Sequence, residues 1–354
     1  MCLDPVLRPA VLTSSSPQRL ADLFRELAFL SGATEYEVFL LRDTDISELT
    51  PRLQLPADHT QGATRLSAIL KSRSNADTIV SEMKVLGGKN GPDYRTLAGK
   101  SKIHYRAIAT YLPDITSLDK DRFEDAVLAL INAGYIASHL EIPVVEMVAG
   151  TILDACKCSN CLEKDAGRGL VLETQLDAKI NLLIEGMKRV LGDRETGNTL
   201  YAIEMEPGPV YVVNGIDAMK KLAGRIVDPR NLTNGRLGFN VDIGHMLIKG
   251  ISADDLRTLG CSLTDSEAWK RLLFHAHISD APQTHTCDQA IGRWTAVASC
   301  NPSPYDEYIR LLKKELSTSA TFSKTISIEL EGCDHIGRIQ ESLTQLRYLI
   351  ERCG

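Results

Sequence analysis

The regular alternation of strand-like and helix-like segments is the feature that most restricts how this chain can fold. Apolar or alternating runs of strand length occur at 10–14, 36–41, 103–111, 143–148, 200–205, 237–243, 272–278 and 325–330. Segments with helical spacing lie between them, at 17–31, 120–139, 174–191, 216–226, 253–259 and 305–316, and another at 337–351 ends the series. This alternation predicts an α/β protein with a parallel sheet and helical crossovers.

The number of repeating units indicates the kind of sheet. Eight strand–helix units in 354 residues predict a single (β/α)8 TIM barrel that spans 1–354. The alternative is an open, doubly wound sheet. No G-x-G-x-x-G follows the first strand to support a dinucleotide site in such a sheet. We therefore expect the barrel.

Two stretches are longer than an ordinary βα connection. Residues 43–100 follow the second strand and contain helical patterns at 64–73 and 76–86, and residues 149–173 follow the fourth strand. Both follow the carboxyl end of a strand, so we expect both insertions at the catalytic face of the barrel. Long loops in that position often form lids or substrate walls.

The composition excludes several classes of function. The net charge is −6, acids and bases are mixed along the chain, and no basic stripe suggests nucleic-acid binding. No apolar stretch reaches the roughly 18 residues of a membrane span. No secretory signal is recognisable, and the nine scattered cysteines are typical of reduced thiols in a cytoplasmic protein. A homo-oligomer is compatible with this sequence.

Acidic and imidazole side chains follow four consecutive predicted strands. Glu204 and Glu206 lie at the fifth strand, Asp242 and His245 at the sixth, His275 and His277 at the seventh, and Glu329 and Glu331 at the eighth. In a closed barrel these strand ends converge on one mouth. A single acid at such a position is usually a solvated loop residue or a helix N-cap. Four consecutive strands weaken that interpretation, because a glutamate inside an apolar strand is costly to bury unless it is paired or binds a cation.

The chemistry of such a set indicates an ion and a reaction. Carboxylates with an imidazole form a hard, oxygen-rich site that suits Mn²⁺, Mg²⁺ or Co²⁺, with Zn²⁺ as a further candidate. A cation that holds a hydroxyl and a carbonyl oxygen of a substrate would stabilise the enediolate formed by proton removal beside the carbonyl. A flanking glutamate would be the base, and a second one on the opposite face could return the proton.

The same residues resemble the xylose-isomerase-like TIM-barrel superfamily, which includes sugar isomerases and epimerases, dehydratases and the apurinic endonuclease fold. The resemblance rests on AIEMEPGP at 202–209, NVDIGHM at 240–246, HAHISDAPQTHTCDQAIGRW at 275–294 and SIELEG at 327–332. It covers the C-terminal half well, whereas the N-terminal half matches only as alternating segments. It implies a divalent metal held by Glu204, Asp242, His277 and Glu329, with Glu204 and Glu329 also acting as acid and base.

The resemblance also implies residues that contact the substrate. His245 would contact substrate oxygens or the ion and is included among the catalytic residues. Glu206 and His275 are assigned to substrate binding, and both, like Glu331, could exchange roles with the neighbour on the same strand face. Arg293 could hold an anionic or hydroxylated substrate, and Trp294 could pack against it.

Two local features separate this chain from others of the superfamily. The aspartate–histidine pair that apurinic endonucleases carry before I-G is altered here to a stretch with His285 and Asp288, and His104 is the only histidine on an early strand. With the acidic net charge, this argues against DNA repair. His285 and Asp288 either approach the substrate or cap a loop.

Three cysteines lie close together in the second insertion, at Cys156, Cys158 and Cys161. They either bind a metal or form a loop of free thiols, and the lack of a second C-x-x-C favours the thiols.

The sequence therefore predicts a metal-dependent isomerase or epimerase that acts on a sugar or a related polyol-derived carbonyl compound. Two alternatives stay open. One is a metal-dependent lyase or dehydratase on the same scaffold, and the other is a non-catalytic barrel that binds a metabolite.

Overall fold

A closed barrel of eight parallel strands forms the centre of the computed structural model of this protein. The strands are β1 (Arg8–Thr13), β2 (Glu35–Leu40), β5 (His104–Thr110), β6 (Val144–Val148), β7 (Leu200–Glu204), β8 (Leu237–Asp242), β9 (Leu273–Ile278) and β10 (Thr325–Ile328). Each strand pairs with its neighbour in that order, and β10 pairs with β1 to close the barrel. The predicted TIM barrel is confirmed, and each predicted strand corresponds to an observed one.

Helices surround the barrel. They are α1 (Pro17–Ser31), α2 (Leu66–Leu70), α3 (Arg73–Leu86), α4 (Lys120–His139), α5 (Gly169–Gly192), α6 (Ile216–Val227), α7 (Ile243–Ile248), α8 (Ala253–Leu256), α9 (Asp306–Arg310) and α10 (Ile336–Arg352). The structure describes residues 8–13, 17–40, 66–96, 98–152, 169–231, 233–262, 265–280, 303–316, 318–329 and 336–353. No helix in these ranges is both long enough and apolar enough to cross a membrane.

Burial on both faces explains the composition of the strands. Every residue of β6, β8 and β9 is buried, as expected for parallel strands that face helices on one side and the barrel interior on the other.

Helix α4 begins where the Asp119 side chain accepts hydrogen bonds from the backbone N–H groups of Asp121 and Arg122, which satisfies donors that the first turn leaves unpaired.

The floor of the barrel interior is apolar. The register between β8 and β9 shifts from Phe239 opposite Leu273 to Asn240 opposite His275, so Phe274 is an extra residue on β9. Its ring packs with Ala107, Val144 and Ala202 in a cluster separate from the core between the strands and helices. A bulge re-aims side chains in this way. The polar residues of the interior lie closer to the carboxyl ends of the strands.

The described part of the insertion at 43–100 differs from the expectation. Residues 66–86 form α2 and α3, and both helices pack against α4 as a crossover on the outside of the barrel. A hairpin that we did not predict follows, formed by β3 (Asp93–Thr96) and β4 (Gly99–Lys102). It leads directly into β5 and packs against α1, so it lies where β5 begins, opposite the catalytic face. The second insertion was predicted at 149–173, followed by a helix from 174. In the structure this helix, α5, already begins at Gly169, so the insertion is shorter at its C-terminal end.

Candidate metal centre

Four buried side chains meet at the mouth of the barrel. Glu204 and Asp242 are the last residues of β7 and β8, His277 is the penultimate residue of β9, and Glu329 directly follows β10. One ligand atom from each of these four residues lies within 4.8 Å of the ligand atoms of the other three. Barrel closure thus brings together the four residues predicted as metal ligands. We call them the four-donor cluster.

His277 lies at the centre of the four-donor cluster. Its Nδ1 atom is 2.9 Å from Oε2 of Glu329 and 3.3 Å from Oε1 of Glu204. Asn240, two residues before Asp242 on β8, donates a hydrogen bond from Nδ2 to Oε1 of Glu204 at 3.1 Å. The two glutamates therefore approach one imidazole from strands on different sides of the mouth.

The D-x-x-H spacing has a local structural cause. Asp242 is the N-cap of α7, and its Oδ1 accepts a hydrogen bond from the backbone N–H of His245 at 2.7 Å. Cap and N3 residue are three apart, which is the usual capping geometry. The position of Gly244 is equally constrained, because a Cβ there would lie 2.4 Å from Oγ of Ser279 and 3.1 Å from Oδ1 of Asp242.

The side chain of His245 points back toward β7. Its Nδ1 is 3.0 Å from the carbonyl oxygen of Met205 and 3.8 Å from Oε1 of Glu204. Because a carbonyl oxygen only accepts hydrogen bonds, Nδ1 carries the proton. This contact fixes the orientation of a ring beside the four-donor cluster.

Several buried oxygen atoms in the interior accept no hydrogen bond from the described residues. They are Oδ2 of Asp242, Oδ1 of Asn240, Oε1 of Glu37 and Oε1 of Glu146. Leaving a buried acceptor without a partner is costly. In the four-donor cluster, three carboxylates face one imidazole, and Asp242 uses only one oxygen toward the residues that the structure describes. A divalent cation fits this set, because it would offset the surplus negative charge and use the unpartnered oxygen.

Charge interactions shift the pKa of His277 strongly. Complete burial alone would lower this pKa, but the negative charges of Glu37, Glu329 and Glu204 raise it well above its usual value. Burial would raise the pKa of Glu37, but the imidazoles of His277 and His275 outweigh it, and the pKa of Glu37 lies far below its usual value. Without a metal, an imidazolium therefore supplies the positive charge at the mouth.

Glu146 is a further carboxyl group in the interior. It is 2% exposed and lies on β6. Burial and the nearby charge of Glu204 raise its pKa well above the usual value, more than the positive influence of His277 lowers it. A buried acid in this environment keeps its proton.

Three residues of the site were not predicted from the sequence: Glu37, Glu146 and Asn240. A usable signal was present for both glutamates, since each lies inside an apolar strand, YEVFL for β2 and VVEMV for β6. That is the pattern that drew attention to Glu204 and Glu329. Asn240 carried no comparable signal, because its role depends on its position beside Glu204.

The other predicted site residues have different locations. Glu206 lies in the loop after β7, half-buried, with its backbone N–H bonded to the carbonyl oxygen of Val213 at 3.0 Å. His275 is fully buried beneath the four-donor cluster and bonds to Glu37, so this structure places it among protein groups and not at the mouth. His104 begins β5, at the opposite end of the barrel. Outside the described residues lie Arg293, Trp294, Glu331, His285, Asp288, Cys156, Cys158 and Cys161.

Comparison with known families agrees with this geometry. Residues 86–351, more than half of the chain, match the family model described as xylose isomerase-like TIM barrel. The chain belongs to this family. The resemblance based on the motifs after the last four barrel strands is thereby confirmed. A comparison with curated proteins returns no match.

Solved structures of the xylose isomerase-like fold superpose on nearly the whole chain. The 3-keto-D-glucoside 4-epimerase YcjR from E. coli is 13% identical, with a TM-score of 0.52 and coverage of 97% of this chain and 98% of the other. D-psicose 3-epimerase with D-tagatose from Clostridium cellulolyticum H10 is 11% identical, with a TM-score of 0.51 and coverage of 97% and 99%. The IOLI protein with a bound zinc atom is 13% identical, with a TM-score of 0.53 and coverage of 98% and 97%. At these identities the likeness shows the fold.

Proposed function

We propose that this protein is a divalent-metal-dependent isomerase or epimerase that acts on a sugar or a related polyol-derived carbonyl compound. The observation that carries the proposal is the position of Glu204 and Glu329. Arriving from different strands, both approach the same nitrogen of one buried imidazole, at 3.3 Å and 2.9 Å from Nδ1 of His277, and both belong to the four-donor cluster. The activities in the names of YcjR and D-psicose 3-epimerase support the same class.

The ion would be held by Glu204, Asp242, His277 and Glu329. The donor set suits Mn²⁺, Mg²⁺ or Co²⁺, and Zn²⁺ is a further candidate that the zinc-bound IOLI protein supports. When bound, such an ion would hold two neighbouring substrate oxygens and offset the charge of the enediolate that follows proton removal.

The two glutamates would carry the proton transfers. One carboxylate takes the proton from the carbon beside the carbonyl as that C–H bond breaks. The other, protonated at the start, returns a proton to the opposite face of the same carbon in an epimerisation. In an isomerisation, a proton is returned to the former carbonyl carbon instead, and the hydroxyl proton of the first carbon moves to the former carbonyl oxygen. Either way, the substrate keeps its mass.

The remaining residues would orient the substrate. We propose His245 as a contact to the substrate or the ion, because its ring lies beside Glu204 and is anchored on the carbonyl oxygen of Met205. Glu206 stays a candidate substrate contact at the loop after β7. Arg293 and Trp294 stay predictions. The substrate is a small molecule in this proposal.

Proton exchange into the substrate tests the function directly. Protein loaded with Mn²⁺, Co²⁺ or Mg²⁺ would be incubated in D₂O with ketohexoses, their phosphates and 3-keto-glucosides. NMR would report loss of the signal of the proton beside the carbonyl. We expect exchange by the unaltered protein and a decrease of about 10²–10⁴-fold in Glu204→Gln and Glu329→Gln at saturating metal. Glu124→Gln is the control, since Glu124 pairs with Arg189 on outer helices.

The products separate this proposal from its alternatives. A product of unchanged mass with an inverted stereocentre supports epimerisation, and one with a moved carbonyl group supports isomerisation. Loss of water indicates a dehydratase. A lack of exchange with every substrate at full metal occupancy would contradict the proposal and leave the metabolite-binding barrel as the better description.

A further inference from the structure

A buried hydrogen-bonded network lies directly beneath the four-donor cluster. Glu37, on β2, places its Oε2 atom 2.9 Å from Nε2 of His275 and 2.9 Å from Nε2 of His277. The side chains of all three residues are at most 1% exposed. β2 and β9 are not neighbours in the barrel, so Glu37 reaches across the interior to both histidines.

The chemistry of these contacts determines which ring nitrogens carry protons. A carboxylate oxygen accepts hydrogen bonds, so each Nε2 atom that faces Glu37 must donate. The other nitrogen of His277, Nδ1, faces Glu329 at 2.9 Å and Glu204 at 3.3 Å. With Nε2 protonated, Nδ1 is the atom of this ring that can offer a lone pair at the four-donor cluster.

His275 continues the network away from the mouth. Its Nδ1 is 2.8 Å from Oγ of Ser323 and 3.4 Å from Oγ1 of Thr325, and its Nε2 is also 3.2 Å from Oγ of Ser327. These hydroxyl groups hold the His275 ring, which in turn holds Oε2 of Glu37 by its second contact. The contact with His275 therefore helps to fix the Glu37 carboxylate beneath His277.

We propose that Glu37 is a positioning residue of the metal centre, which keeps Nε2 of His277 protonated and aims Nδ1 at the four-donor cluster. This inference rests on the proposed metal centre. Glu37 acts through His277 and contacts no substrate in this role, and His275 steadies Glu37. A metal-bound histidine is commonly oriented by a carboxylate on its other nitrogen, and removal of such a partner typically costs about 10–100-fold in metal affinity.

The test compares two glutamates of the same strand. In Glu37→Gln the carboxylate beneath His277 is replaced by a neutral amide of similar size. The control is Glu35→Gln, which removes the same charge two residues earlier on β2, where Glu35 pairs with Arg106. Zn²⁺ and Co²⁺ affinities of the full-length proteins would be measured by competition with a chelator. We expect Glu37→Gln to bind about 10–100-fold more weakly and Glu35→Gln to bind as the unaltered protein does.

A second measurement needs no substrate and gives a result on the unaltered protein by itself. NMR of Zn²⁺-loaded protein with ¹⁵N-labelled histidine reports which ring nitrogen of His277 binds the metal and which carries a proton. We expect zinc at Nδ1 and a proton on Nε2, and we expect the signal of that proton to shift or vanish in Glu37→Gln. If Glu37→Gln does not fold, the pattern of the unaltered protein still decides.

The outcomes separate this inference from the proposed function. Zinc at Nε2, or equal affinities in Glu37→Gln and Glu35→Gln, overturns the positioning role and leaves the sugar chemistry untouched. A further outcome is that the metal affinities and the tautomer are as expected but no sugar exchanges a proton. This result would support the positioning role and contradict only the proposed function. If the unaltered protein binds none of Zn²⁺, Co²⁺, Mn²⁺ and Mg²⁺, both fall.

Discussion

Two buried aspartates have almost the same exposure but different surroundings. Asp242, at the mouth of the barrel, is 0% exposed, and Asp306, at the start of α9, is 1% exposed. Both oxygens of Asp306 are occupied: Oδ1 accepts from Oγ of Ser303 at 3.0 Å and from Arg352, and Oδ2 accepts from the Ser303 backbone N–H at 3.2 Å. Asp242 uses Oδ1 for one backbone N–H, and its Oδ2 accepts no hydrogen bond from the described residues.

This difference distinguishes a carboxylate whose charge is compensated within the fold from one that we propose as a metal ligand. Burial would raise the pKa of Asp306, but hydrogen bonds from Arg352 and Ser303 lower it. The charge of Asp306 is thus compensated within the fold. Asp242 shares the mouth with two further carboxylates and one imidazole of the four-donor cluster. A surplus of buried negative charge gives a fold little stability, and arrangements of this kind are concentrated at functional sites.

The largest effect is expected at Asp242, the proposed metal ligand. Asp242→Asn should weaken the binding of Mn²⁺ or Co²⁺ by on the order of 100-fold or more, since loss of even an outer-shell partner costs about 10–100-fold. Chelator competition measures the affinity. The metal-free variant should be as stable as the unaltered protein or more stable, because asparagine caps a helix equally well and removes one of three clustered negative charges. Unchanged metal affinity would remove Asp242 from the set of ligands.

The matching change at Asp306 should have the opposite profile. Asp306→Asn removes the charge that Arg352 pairs with, so the free energy of unfolding should fall by about 2 kcal/mol. Urea denaturation measures it, and chelator competition should find the metal affinity unaltered. A loss of metal affinity as large as that in Asp242→Asn would show that the two aspartates do not differ in the way argued here.

The polar side chains at the carboxyl ends of the last four barrel strands could be predicted, because each of these strands has a local pattern in the sequence. Apolar alternation located the strands, and the carboxylates and imidazoles at their ends stood out against apolar neighbours. The spacing between Asp242 and His245 is explained by the capping interaction, which acts over three residues. Local patterns of this kind are visible in a sequence.

The contacts in the lower half of the site could not be predicted in the same way. Glu37 and His277 are 240 residues apart, and only the closure of the barrel and the position of β9 bring them into contact. The extra residue Phe274, which changes the register of β9, has no sequence signature. The hairpin at 93–102 was missed because its strands are short and polar, DYRT and GKSK, and its register depends on contacts with α1.

Glu146 offers a third way to bury a carboxyl group and the smallest expected effect. Since its pKa is raised by burial and by Glu204, the folded protein keeps a proton there that the unfolded chain releases above the usual pKa of 4.5. By proton linkage, this site makes the unaltered protein lose stability as the pH rises from that value toward the folded-state pKa, by no more than about 1.4 kcal/mol per pH unit.

Metal-free Glu146→Gln should match the unaltered protein at about pH 4 and be the more stable of the two at about pH 5.5. Urea denaturation at both pH values measures this, with Glu185→Gln on the exposed side of α5 as the control. If the stability difference between Glu146→Gln and the unaltered protein did not change with pH, Glu146 would be ionised in the folded protein, and the mouth would carry one more negative charge for a cation to offset.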